Sequence, residues 1–184
     1  MKSIHMACDH AGIELKETLR AHLEKMGYTV TDHGTYSKES CDYPVFAHAL
    51  CNAVEAEDVP GILICGTGIG MSIAANRHKG IRAALCTTEL HARFTRLHNN
   101  ANVLCLGARV TGVELALAIV DTFLSTEFEG GRHQRRIDFP GEAQRLVQRL
   151  PDGRDVQFLR RLIFFFLPDA RRLFLPRTQF FFPL

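Results

Sequence analysis

Between residues 3 and 124, short apolar runs alternate five times with longer segments of helical period, and this alternation limits the possible folds more than any other feature. The first run is Ser3–Cys8. The segment after it, from about Gly12 to Met26, carries Ile13, Leu15, Leu19, Leu23 and Met26 along one side and is stopped by Gly27. Further strands are expected at Tyr28–Thr31, Gly61–Cys65, Ile81–Cys86 and Val103–Leu106, and further helices near Pro44–Glu55, Gly68–Arg77, Thr88–Leu97 and Gly112–Leu124. Five strand–helix units imply a parallel sheet covered on both faces and joined by right-handed crossovers. In such sheets ligands bind outside the carboxyl ends of the strands. That edge receives Asp9-His10, Cys65-Gly66-Thr67 and Gly107-Ala108-Arg109, whereas His98-Asn99, closing the helix before the fifth strand, is not assigned to it by the pattern.

A chain of 184 residues can bury one substantial core, expected here over residues 1–150, with 151–184 as a C-terminal extension. The net charge of +2 is unevenly spread: residues 1–150 hold 16 Lys and Arg against 17 Asp and Glu, and the remainder holds 6 against 3. Nothing in the body therefore suggests the clustered basic face or stripe that a nucleic-acid footprint needs. Six cysteines without C-x-x-C spacing fit reduced, mostly buried thiols in a cytoplasmic protein better than a disulfide framework or a zinc site. The N-terminus turns polar too early for a secretory signal, and no run reaches the ~18 apolar residues of a membrane span. Pro140 interrupts a possible helix that resumes over Glu142–Leu150, and 8 of the 13 phenylalanines lie beyond the Pro151-Asp152-Gly153 turn. A poorly ordered appendage, packing on the body or a partner subunit, attachment to a membrane surface and an accidental extension are all readings of that tail.

The run Ile64-Cys65-Gly66-Thr67-Gly68-Ile69-Gly70 follows a strand and opens a helix. It is neither a P-loop, since no Gly-Lys-Ser/Thr follows, nor a dinucleotide fingerprint, which belongs after the first strand. Backbone N–H groups at such a turn suit a phosphate or an enolate, and the positive end of a helix favours the thiolate of a neighbouring cysteine. The plainer readings are tight strand–helix packing and a buried structural thiol. His10 gains weight from its expected rim position, and His98 from the donors and acceptors of His98-Asn99-Asn100. His33, His48, His78 and His91 read as surface or satisfied core residues. Arg132 and Arg136 are four apart, so a helix would aim both guanidinium groups from one face, as a phosphate clamp or as part of a solvated basic face with Arg135. They follow the joint Glu129-Gly130-Gly131, which would let the segment reach a neighbouring subunit's site.

Taken with Asp42-Tyr43-Pro44, Ser72-Ile73-Ala74-Ala75-Asn76, Gly80-Ile81-Arg82-Ala83-Ala84, Asn102-Val103-Leu104, Gly107-Ala108-Arg109-Val110 and Glu129-Gly130-Gly131-Arg132-His133, these segments resemble the ribose-5-phosphate isomerase B family over residues 1 to about 138. The resemblance implies a Rossmann-like three-layer sandwich and a cofactor-free, metal-free aldose–ketose isomerase acting on ribose 5-phosphate. It also implies a homodimer or homotetramer with sites shared between subunits. Carried over, Cys65 is the base, Gly66, Gly68 and Gly70 belong to the loop that holds the enediolate, Thr67 assists, and His98 opens the furanose ring. Asp9, Asn99 and Tyr43 line the sugar pocket, and His10, Arg109, Arg132 and Arg136 bind the phosphate. The alternatives are a hexose 6-phosphate isomerase acting on allose or galactose 6-phosphate, a non-catalytic sugar-phosphate binding protein, and a flavodoxin-like nucleotide-binding module.

Overall fold

Strands β1 (Lys2–Cys8), β2 (Tyr28–Asp32), β3 (Gly61–Cys65), β4 (Ala83–Leu85) and β5 (Val103–Gly107) form one parallel sheet in the order β2-β1-β3-β5-β4 in a computed structural model that describes residues 2–138. The expected interruption at Pro140, the helix over 142–150 and the extension over 151–184 lie outside the described residues. Every residue of β3 and β5 is buried, because both strands are central and both sheet faces are covered. The edge strand β2 instead alternates between half-buried and exposed positions. Helices α1 (Ile13–Lys25) and α5 (Val113–Ser125) cover one face, where Leu19, Leu23, Ile119 and Phe123 meet Ile4, Ile62 and Leu104. On the other face, α2 (Tyr43–Glu57) and α3 (Ile69–Ala75) bring Leu50 and Met71 onto Ala7, Leu63 and Cys105. Helix α4 (Glu89–Asn99) packs beside α5, and a short α6 (Arg132–Ile137) packs on α4.

The elements match the alternation in the sequence, with boundaries moved by side chains that take over backbone partners. Residues 81 and 82 do not join β4: the Arg82 N–H donates to the Asn102 side chain at 2.8 Å, and the ladder begins at Ala83. Helix α3 stops two residues before Arg77 because Asn76 caps it, donating to the Ser72 carbonyl at 2.9 Å while its amide group exchanges hydrogen bonds with the Ala83 backbone. Helix α4 runs on to Asn99 and is closed by Asn100 at a φ of 46°. The chain leaves β1 toward one side of the sheet and β3 toward the other, so a crevice opens at the carboxyl ends of these two neighbours.

Candidate active site

Cys65 ends β3 at this crevice, 5% exposed, and the Gly68 N–H donates to its sulfur at 3.1 Å. Gly68 has a φ of +78°, and a Cβ there would lie 2.4 Å from Leu85 Cδ1 and 3.0 Å from the Leu106 carbonyl carbon. Only glycine combines that backbone conformation with that approach. Burial pushes the thiols of Cys8, Cys51 and Cys86 up to about 12 and that of Cys105 well above the usual range, so these four behave as small hydrophobes. All six cysteines are free.

The loop after β5 is locked to this turn: Ala108 N–H donates to the Cys65 carbonyl at 2.8 Å and Arg109 N–H to that of Gly66 at 2.9 Å. The Arg109 guanidinium lies over Gly66, with Nε 3.6 Å from where a Cβ would stand. Tyr43, at the start of α2, covers Gly70, its ring carbon 2.8 Å from the corresponding position. The Asp9 N–H donates to the Ile64 carbonyl at 3.0 Å, and its carboxylate accepts from Ala11 N–H at 2.9 Å. His10 Nδ1 accepts from Cys41 N–H at 3.4 Å, which assigns the ring proton to Nε2 and leaves a donor for an anion. Asp9, His10, Tyr43, Cys65 to Gly70 and Arg109 therefore gather at one edge of the sheet, with exposed Thr67 among them.

His98 and Asn99 do not join them. A helix that crosses back along a parallel sheet ends where the next strand starts, so the last turn of α4 lies at the amino ends of β4 and β5. That is a strand's length, roughly 15 Å, from the Cys65 edge. There His98, Asn99 and Arg136 line a cavity of about 530 Å³ with Arg82, Thr95 and His133. The pairing of Arg132 with Arg136 is looser than their spacing implies: Arg136 faces the cavity, whereas Arg132 Nε donates to His133 Nε2 at 3.3 Å.

Sequence reasoning passed over His133 and Glu129 as site residues, although both lie in a segment that carried the resemblance. The His98 and His133 rings stack, centroids 4.2 Å apart and 7° from parallel, and Glu129 Oε2 stands 3.8 Å from His98 Nε2 and 3.7 Å from His133 Nε2. Burial pushes the His133 pKa down, as do His98, Arg132 and Arg136, against the pull of Glu129. These three groups hold the donor types of a metal site. A metal, however, sits in the plane of each imidazole that ligates it, and two stacked parallel rings share no such plane. The cluster does not fit a chelated ion.

Residues 4–139 match the family model described as Ribose/Galactose Isomerase. Ribose-5-phosphate isomerase B of Escherichia coli strain K12 is 50% identical over 139 residues, covering 75% of this chain and 93% of that one. The solved structure of Clostridium thermocellum ribose-5-phosphate isomerase B superposes with a TM-score of 0.75 at 50% identity, over 78% of this chain and 98% of the other. That of the Mycoplasma genitalium enzyme, with bound ribulose 5-phosphate, gives 0.72 at 42% identity, over 80% and 97%. Fold, crevice and sequence agree over the same stretch, and on these grounds the chain belongs to the ribose/galactose isomerase family.

Proposed function

We propose that this protein interconverts D-ribose 5-phosphate and D-ribulose 5-phosphate, with Cys65 as the base that carries a proton between C2 and C1. The observation that carries this reading is the Gly68 N–H on the Cys65 sulfur, at the start of a run of glycine amides beneath Arg109. The aldose is mostly a closed furanose, so His98 first gives a proton to the ring oxygen and takes one from the C1 hydroxyl, which frees the aldehyde. Cys65 then removes the C2 proton. The charge that moves onto the C1 oxygen is met by amides of the Gly66–Gly70 loop other than that of Gly68, whose N–H is on the Cys65 sulfur, and by Thr67, donors held in place by the loop. Return of the proton to C1 and transfer of the O2 proton to O1 complete the ketose. Asp9, Asn99 and Tyr43 hold the sugar hydroxyls, and His10, Arg109, Arg132 and Arg136 hold the phosphate.

Both half-sites are required in one reaction, and the separation of His98 from Cys65 within one chain supports a homodimer in which each site takes Cys65 from one subunit and His98 from the other. Exposed Val45, Ile69 and Ile73 flank the first half-site, and exposed Leu90 and Phe94 lie on the helix of the second, as such a surface needs. Five buried thiols and no paired cysteine spacing fit a reducing, cytoplasmic setting. Among the described residues no helix is long and apolar enough to cross a membrane. The test is conversion of ribose 5-phosphate by the purified protein in the presence of a chelator. Turnover is expected, with kcat/KM above that for allose 6-phosphate and galactose 6-phosphate; a strong preference for a hexose phosphate overturns the assigned substrate. Saturable binding of ribose 5-phosphate without turnover would instead favour a binding protein.

A further inference from the structure

We propose that Glu129 and His133 are positioning residues for ring opening, holding the His98 imidazole by Nε2 so that Nδ1 is the nitrogen that exchanges protons with the sugar. The proposal rests on the reading of His98 as the ring-opening residue. His98 is held from three directions: His133 stacks on it, Phe94 lies 4.9 Å away at a 31° tilt, and the Glu129 carboxylate stands in ion-pair range of Nε2. Glu129 is itself fixed from α4, since its N–H donates to the carbonyl of Leu97, the residue before His98, at 3.1 Å.

The proton inventory separates the two histidines. Arg132 Nε is a donor without acceptor capacity, so His133 Nε2, which takes its hydrogen bond, presents a lone pair and the ring is neutral. The carboxylate of Glu129 then has one imidazole proton to face, that of His98. Burial, and after it the neighbouring His98, push the His133 pKa down, in the same sense. A stacked neutral ring and a carboxylate facing Nε2 together fix both the plane of the His98 ring and the nitrogen left to give and take protons in turn. Glu129 is 52% exposed on its side chain, so the contact adds little to folding stability and its use lies in orientation.

Ribose 5-phosphate must be opened, whereas ribulose 5-phosphate is acyclic, because its phosphorylated O5 cannot close a furanose ring on C2. The test compares Glu129→Gln and Glu129→Asp with His98→Ala in the full-length protein. Two rates are read: conversion of ribose 5-phosphate, and exchange of the C1 proton of ribulose 5-phosphate with solvent deuterium. Glu129→Gln is expected to lower the first about tenfold, a part of the 10²–10⁴ that a placed acid–base group supplies, and to leave the second within about twofold, with Glu129→Asp recovering part of the loss. Equal falls in both rates, or no fall in the first, overturn the proposal if His98→Ala itself separates them. If His98→Ala does not separate the two rates, the reading of His98 fails and the positioning role fails with it.

Discussion

Cys65 differs from the chain's other buried thiols in what its sulfur meets. Burial holds Cys8, Cys51, Cys86 and Cys105 protonated, and Cys8 and Cys86 donate to the carbonyls of Thr35 and Ala84, whereas the Cys65 sulfur accepts a backbone N–H at the mouth of the crevice. Cys65→Ala is expected to cut isomerisation by about 10²–10⁴, the worth of a placed base, while ribose 5-phosphate still protects the variant from thermal unfolding. Turnover near that of the parent protein would remove Cys65 from the mechanism. Gly107 makes a second case at this scale. A Cβ there would lie 2.6 Å from the carbonyl carbon of Thr67 and 2.7 Å from its oxygen, and these are backbone atoms that only a shift of the loop can relieve. Gly107→Ala is expected to cost about 1–3 kcal/mol in urea unfolding and to lower kcat through misplaced amides; an alanine variant with unchanged kcat would mean that loop position is not critical. The importance of the Gly66–Gly70 run was legible in the sequence because glycines cluster there after a strand. The contact between Gly107 and Thr67 was not, since it depends on two strands being neighbours.

Among the elements, the end of β2 depends on a charge buried in α1. Lys16 is fully buried, its ammonium 2.6 Å from Asp32 Oδ2 and within hydrogen-bond distance of the Thr35 carbonyl at 3.1 Å. Asp32 also accepts from Gly34 N–H at 2.9 Å, so the pair secures the start of the segment that later places Cys41 against His10. Replacing Lys16 by Met leaves a half-buried carboxylate without its cation and is expected to cost about 3–5 kcal/mol, read as a lower urea midpoint; an unchanged midpoint would show that Asp32 finds another partner. Nearby, His33 Nε2 lies 3.0 Å from His5 Nδ1, and burial followed by His5 pushes its pKa down. A histidine depressed in the folded state binds fewer protons there than in the unfolded chain, so its contribution is intact above the usual value of 6.5 and declines as pH falls below it. Unfolding midpoints are expected to drop between about pH 7.5 and about pH 5.5, and His33→Gln to reduce that drop. The sequence marks the five strands and the first five helices by their period, though not α6, but Lys16 reads there as an ordinary charged residue of an amphipathic helix. Its burial follows from the close approach of α1 to the end of β2. The order of the last two strands was equally hidden, because β4 has three residues and its place outside β5 is fixed by tertiary pairing.

At the scale of the molecule, Cys65 and His98 lie at opposite ends of the strands, and the proposed roles of both in one reaction require an assembly that brings two chains together. A two-fold dimer that sets the Cys65 edge of each subunit against the His98 cavity of its partner makes two equivalent sites, each drawing on both chains. Shared sites were implied by the resemblance, but chain order could not show the separation that requires them, since His98 is only nine residues from Gly107 in sequence yet helix α4 and strand β5 run in opposite directions between them. The arrangement has a numerical consequence. Cys65→Ala and His98→Ala are each expected to be nearly inactive in converting ribose 5-phosphate, because every site of either dimer lacks one group. A mixed dimer places both substitutions in one site and leaves the other with Cys65 from one subunit and His98 from the other. If equal amounts are unfolded and refolded together, about half of the dimers are mixed and each regains one site of two, so about a quarter of the parent activity should return. A site built within a single chain gives no recovery under the same conditions, and mixed dimers that form, as seen with a tag on one subunit, but stay inactive would refute the shared site.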